Sequence, residues 1–162
     1  MDAAMRTITE ETVICTTPER IWNFLVSLHT DGNYKKWHPR DHILYRLLKG
    51  DMAHAGSEAY FQEHLGTFTL RLRYRLIKAR FPEYLEYAAA FPLSLLRAGK
   101  ASFTIASLDA HHTQLTAYAE YGYTVPVLGN LIEAIAGLVV NQADIVQHVH
   151  EEGEYMKALL ET

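Results

Sequence analysis

Apolar and polar positions alternate in short runs through the middle of the chain, and the alternation stops near residue 125. Alternation marks a strand with one face buried. It predicts strands over His42–Lys49, Glu58–Leu65, Thr67–Ala79, Glu83–Ala89, Lys100–Leu108 and His112–Thr124, with a first strand over Met5–Ile14. Gly50-Asp51, Gly66, Phe81-Pro82 and the stretch Asp109 to His112 supply the turns. Between the first two strands the pattern changes. Thr16-Thr17-Pro18-Glu19 reads as a helix start, with either Thr as cap and Glu19 completing a capping box with Thr16. Ile21, Trp22, Phe24, Leu25 and Leu28 form its apolar face, and Asp31-Gly32-Asn33 breaks it. A short helical or irregular stretch then leads to Tyr34-Lys-Lys-Trp37-His38-Pro39, where Pro39 turns His38 out of helical geometry.

Beyond Val125, Leu128, Leu131, Ile132, Ile135, Leu138, Val139, Ile145, Val149, Met156 and Leu159 recur at helical spacing. They predict one helix of more than thirty residues, roughly 50 Å long at 1.5 Å per residue, with Gly129 and Gly137 as points of bending. The expected architecture is α+β: a curved antiparallel sheet of six or seven strands, two short helices after the first strand, and a long closing helix, all in a single domain over residues 1–162. Only the last helix is large enough to cover the sheet. One helix on so wide a sheet leaves a hollow, and a hollow lined by Tyr and Phe is a place for a ligand. The apolar run Phe91–Leu96 reads as a loop over its mouth or as a homodimer contact.

Composition narrows the function classes. A net charge of −4 gives nucleic acid no basic surface, and Arg71, Arg73 and Arg75 alternate with Leu70, Leu72, Tyr74 and Leu76 as the wet face of a strand. No apolar run approaches the roughly 20 residues of a membrane span, and residues 1–9 lack the apolar core of a signal peptide. The expectation is a cytoplasmic protein without membrane insertion. The single Cys15 excludes an internal disulfide and a Cys-rich zinc site, and its place at a strand end suggests a small buried hydrophobe. Phosphate loops and the Gly-x-Ser-x-Gly elbow are missing.

The element order, with Thr17-Pro-Glu-Arg-Ile-Trp-Asn-Phe-Leu25 opening the first helix, resembles the START-like helix-grip superfamily (SRPBCC; polyketide cyclase/dehydrase and lipid transport) over the whole chain. The resemblance implies the fold more than an activity, because members bind lipids, cyclise polyketides or hydrolyse.

Three features carry candidate chemistry. His148 and Glu152 stand four apart on the face that also holds Ile145, Met156 or Tyr155, and Leu159. A carboxylate in an apolar stripe is costly without a cation or a proton, and this spacing offers a metal one nitrogen and one oxygen. In the strand Glu58–Leu65, the set Ala59, Phe61, Glu63 and Leu65 reads as inward, which turns Glu63 to the interior and His64 to water. Two inward carboxylates repel unless a cation or shared proton intervenes. The third feature is Trp37-His38-Pro39-Arg40-Asp41-His42, in which either His can be a ligand and alternation does not choose between them.

This last stretch, read as Tyr34-Lys-Lys-Trp-His-Pro-Arg-Asp-His42, resembles the Lys-x-Trp-His-Pro-Arg-x-His motif of the phloretin hydrolase and diacetylphloroglucinol hydrolase family. Those are metal-dependent helix-grip enzymes that cleave the carbon–carbon bond between an acyl group and a phenolic ring. The resemblance implies a metal site, zinc first, of His42, Glu63, His148 and Glu152, with His38 as an outer or alternative ligand. Asp41 stands where those hydrolases have a small residue, and they carry N-terminal sequence that this chain lacks. Glu152, or Glu63, would leave the metal to act as a base, and Phe61, Tyr74, Tyr121 and Tyr123 would line the pocket for a small hydrophobic or aromatic ligand. Two other readings stand beside this one: a carrier of such a ligand, and a cyclase working without metal.

Overall fold

The computed structural model describes residues 6–90, 99–121 and 141–162. Seven strands form one antiparallel sheet: β1 (Arg6–Ile14), β2 (His42–Lys49), β3 (Glu58–Leu65), β4 (Phe68–Arg80), β5 (Tyr84–Ala89), β6 (Lys100–Ser107) and β7 (Thr113–Tyr121). Their order across the sheet is β1-β7-β6-β5-β4-β3-β2. Strands β2 to β7 are thus a meander, and β1 joins at the far end against β7. Helices α1 (Pro18–Ser27) and α2 (Asp31–Trp37) carry the chain from one edge of the sheet to the other, and α3 (Gln142–Leu160) lies against β1 and β3.

The inner face is apolar at alternate positions. Ile14, Ala59, Leu76, Leu85, Ile105 and Leu115 meet Ile21, Trp22 and Leu25 of α1 and Met156 and Leu160 of α3 in one buried cluster. The arginine stripe does face outward, and Arg73 and Arg75 grip the carboxylate of Glu58, which is nearly buried beneath them.

Local expectations change in four places. The cap of α1 is Thr17, in extended conformation and without a side-chain bond, so the capping box from Thr16 does not form. Asp31-Gly32-Asn33 opens α2 instead of merely ending α1: Thr30 caps it by accepting from the Asn33 N–H, and Asp31 accepts from the backbone N–H of Tyr45, which ties α2 to β2. Cys15 is exposed rather than buried, because β1 ends at Ile14 and the chain turns out of the sheet. On α3 the buried positions are His148, Gly153, Met156 and Leu160, while Tyr155 and Leu159 face solvent. Of the expected face, His148, Glu152 and Met156 turn inward, together with Gly153, and Tyr155 and Leu159 do not.

Gly153 is what allows this. A Cβ there would run into the Thr12 hydroxyl of β1, so the missing side chain lets α3 come this close with Thr12 as it stands. The first half of the expected long helix, with Leu128 to Val139 and both glycines, lies outside the described residues, as do Phe91–Leu96 and Tyr123. None of the described helices is long and apolar enough to cross a membrane.

Candidate metal centre

Four side chains from three separate stretches converge under α3. His42 and Glu63 are direct partners across the β2–β3 ladder, which sets their Cβ atoms about 5 Å apart. His148 and Glu152 add one face of α3. One ligand atom from each of the four lies within 4.8 Å of the other three. His42 Nε2 is 3.0 Å from Glu152 Oε1 and 3.7 Å from Glu63 Oε2. His148 Nε2 is 3.5 Å from Glu152 Oε1 and 3.8 Å from Glu63 Oε2. Both imidazoles are buried, and the carboxylates nearly so.

The outer atoms determine which ring nitrogen faces the centre. His42 Nδ1 lies 2.8 Å from the backbone carbonyl of Tyr34, and a carbonyl only accepts, so Nδ1 carries hydrogen. His148 Nδ1 lies 3.2 Å from Asp41 Oδ2 and is likewise a donor. Each ring therefore turns Nε2 inward. His148 Nε2 is buried and makes no hydrogen bond of normal geometry among the described residues, its nearest acceptors being Glu152 Oε1 at 3.5 Å and Glu63 Oε2 at 3.8 Å, which is costly for a polar atom at such a place. A cation among these four atoms would satisfy the orphaned nitrogen and relieve the two facing carboxylates together. The donor set, two imidazoles and two carboxylates, suits zinc and the neighbouring divalent metals.

Electrostatics without a cation point the same way. Burial disfavours charge on His148, but the carboxylates of Glu152 and Glu63 outweigh it and raise its pKa well above the ordinary imidazole value. Burial alone would raise Glu152; His148 and His42 instead hold it below the usual carboxylate range. The site thus attracts positive charge, as a proton or as a metal.

Neighbouring groups brace it. Tyr34 donates to Glu63 Oε2 at 2.7 Å, and its ring lies flat on that of His42 with centroids 3.9 Å apart. Burial, and then Glu63, push the Tyr34 hydroxyl well above its normal pKa. The Trp37 indole N–H donates to the carbonyl of Glu152 at 2.9 Å. His38 is wholly buried, but it faces away from the four: its Nε2 meets Glu151 at 3.1 Å, and its ring stacks on His148 with centroids 4.8 Å apart. Its place at the end of α2, with φ −139° and ψ 82°, comes from the following Pro39.

Of the expected pocket residues, Phe61 and Tyr74 stand beside Tyr34 in a run of aromatic rings, with the Tyr74 and Tyr45 hydroxyls paired at 2.8 Å. Tyr121 lies at the end of β7 opposite Arg6, and its hydroxyl finds no partner among the described residues. Sequence reasoning did not foresee the parts played by Tyr34, Tyr45 and Asp41. Tyr34 and Asp41 were inside the quoted motif, but only the fold shows what their side chains reach. The space between Glu152, Trp37, Phe103 and Met156 measures about 10 Å³, and an open cleft of about 420 Å³ is lined by Arg40, Asp41, His64, Asp144 and His148.

No protein-family model matches the chain, and no curated protein matches it at the level of sequence. Solved structures do match in shape. The major latex-like protein 151 of Panax ginseng superposes with a TM-score of 0.68 at 9% identity, covering 96% of this chain and 97% of that one. Norcoclaurine synthase from Thalictrum flavum, in complex with dopamine and hydroxybenzaldehyde, gives 0.66 at 10% identity over 96% and 88%. The Zhui aromatase/cyclase of a Streptomyces species gives 0.66 at 12% identity over 96% of each chain. The fold is the START-like helix grip. At these identities the likeness speaks for the fold alone.

Proposed function

We propose that His42, Glu63, His148 and Glu152 hold one divalent metal ion, zinc first, and that the protein hydrolyses the carbon–carbon bond between the acyl group and the ring of a small phenolic ketone. The observation that carries the metal reading is the convergence of these four side chains on one point, with the buried Nε2 of His148 between two carboxylates and without a hydrogen bond among the described residues. The reaction class rests on the resemblance of residues 34–42 to the phloretin hydrolase motif.

A divalent metal bound here would polarise the ketone oxygen and make a water acidic enough to attack at neutral pH. The remaining steps belong to the protein's own residues. On this reading Glu152 or Glu63 would take the proton of the attacking water, both carboxylates lying at the centre. Tyr34, whose hydroxyl keeps its proton and already points at Glu63, is placed to hold or return a proton there as the ring carbon leaves. Phe61 offers a ring next to Tyr34, with Tyr74 behind Phe61, which suits an aromatic substrate. The ligands named for the norcoclaurine synthase structure are aromatic too, which supports an aromatic ligand class for this fold.

Elemental analysis of freshly purified protein, followed by an acylphenol hydrolysis assay with and without chelator, tests the reading. About one equivalent of metal and chelator-sensitive hydrolysis are expected. Metal-free protein that binds acylphenols without turnover would favour the second reading, a carrier or a cyclase working without metal. That reading draws its support from the likeness in fold to the latex-like protein and the aromatase/cyclase.

A further inference from the structure

We propose that Asp41 is the positioning residue for His148, fixing its ring so that Nε2 faces the metal and strengthening it as a ligand; this rests on the metal reading above. The two imidazoles of the centre are held by unlike partners. His42 gives its outer N–H to a neutral backbone carbonyl. His148 gives its own to the Asp41 carboxylate, and both of those side chains are buried. An imidazole bonded to a carboxylate is a more basic ligand and has its tautomer fixed. His148 also depends on this more, because α3 supplies no carbonyl to do for it what Tyr34 does for His42: Asp41 is the one acceptor bonded to its Nδ1 among the described residues.

Asp41 is itself held in place. Arg40 forks onto it, with Nε 3.0 Å from Oδ1 and Nη2 3.1 Å from Oδ2. The same guanidinium reaches Glu151 on α3. His38 accepts from the Asp41 backbone N–H at 3.3 Å and donates to Glu151, while its ring lies along that of His148. The Asp41–His148 contact is therefore backed by His38 and held by Arg40, at the edge of the open cleft that Arg40, Asp41 and His148 line. Removing Asp41 frees the ring of His148 to turn its other nitrogen inward. A purely structural role as partner of Arg40 does not require burial of Asp41, since the Arg40 side chain is 60% exposed.

The test is zinc affinity, measured on the full chain by competition with a chromophoric chelator, for wild type, Asp41→Asn and Asp41→Ala. The Ala variant should bind zinc about 10–100-fold more weakly. The Asn variant keeps a neutral acceptor oxygen and should fall between the two. Cobalt-substituted Asp41→Ala should also show a shifted visible spectrum. Urea midpoints of the metal-free proteins separate a positioning role from a merely structural one: that role would lower the midpoints and leave affinity and spectrum as in wild type. If the Ala variant does not fold, the isosteric Asn variant carries the test. Zinc affinity within twofold of wild type in the folded variants overturns this inference alone. Wild-type protein that takes up no zinc overturns it together with the metal reading.

Discussion

The indole N–H of Trp37, the last residue of α2, donates to the backbone carbonyl of Glu152, 115 positions later on α3. This one bond ties the short helix that leads into the His42 strand to the helix that carries His148. Trp37→Phe keeps most of the ring and loses the donor. The expected cost is about 1 kcal/mol from the hydrogen bond, or a drop of about 2–4 °C in Tm for a chain of this size. Zinc affinity should fall with it, because Glu152 loses its anchor. A Tm and an affinity equal to wild type would show that the contact contributes nothing.

The four proposed ligands can be removed one at a time. His148→Ala and Glu152→Ala should each abolish stoichiometric metal on elemental analysis, and chelator should lower the Tm of wild type but not of these variants. At a free zinc concentration 100 times Kd the stabilisation is about 2.7 kcal/mol. Full occupancy in His148→Ala would point to other ligands, His38 being the nearest candidate.

Metal and proton compete for His148. In the metal-free protein its pKa is raised above the ordinary imidazole value by Glu152 and Glu63, against burial. A raised pKa contributes stability that is full below the unfolded value, about 6.5, and is lost as pH rises through the folded value. Metal binding needs the ring without that proton, so zinc affinity should rise with pH across the neutral range and binding should release protons. Calorimetric titrations in buffers of different ionisation enthalpy measure the release; none at pH 7 would contradict the assignment of His148.

Gly153→Ala tests how closely α3 is seated. The added methyl would run into the Thr12 hydroxyl, so the Thr12 side chain, the helix or the strand must give way, at a cost of about 1–3 kcal/mol. Because Glu152 adjoins it, metal affinity should fall too. Thr12→Ala in the same chain makes room and should restore most of both losses. A double variant no better than the single would place the strain elsewhere.

On the outer face, Arg73 and then Arg75 hold the Glu58 carboxylate below its usual pKa. Such a group contributes stability above its unfolded value, about 4.3, that is lost as pH falls through the depressed folded value. Glu58→Gln should therefore be less stable than wild type at pH 7, with the difference shrinking toward pH 3. Urea midpoints at the two pH values check this.

Alternation and turn residues were enough to read the strands β2 and β3 to the residue, because each has one apolar face and is closed by glycine or a polar turn. The same reading turned Glu63 inward and paired His148 with Glu152, since both follow from the repeat of a single element. It could not choose between His38 and His42. That choice depends on the register of β2 against β3, which sets His42 opposite Glu63, and on the turn after α2, which sends His38 to Glu151. Nor could it find the rotation of α3. Of the expected face, His148, Glu152 and Met156 do turn inward, but close approach at Gly153 leaves Tyr155 and Leu159 exposed. Periodicity is local, so the kinds of donor and the elements that carry them are legible in the sequence. Which donors meet, and through Asp41 and Tyr34 which nitrogen each imidazole presents, follows from contacts between parts of the chain that no local pattern relates, and these exist only once the chain is folded.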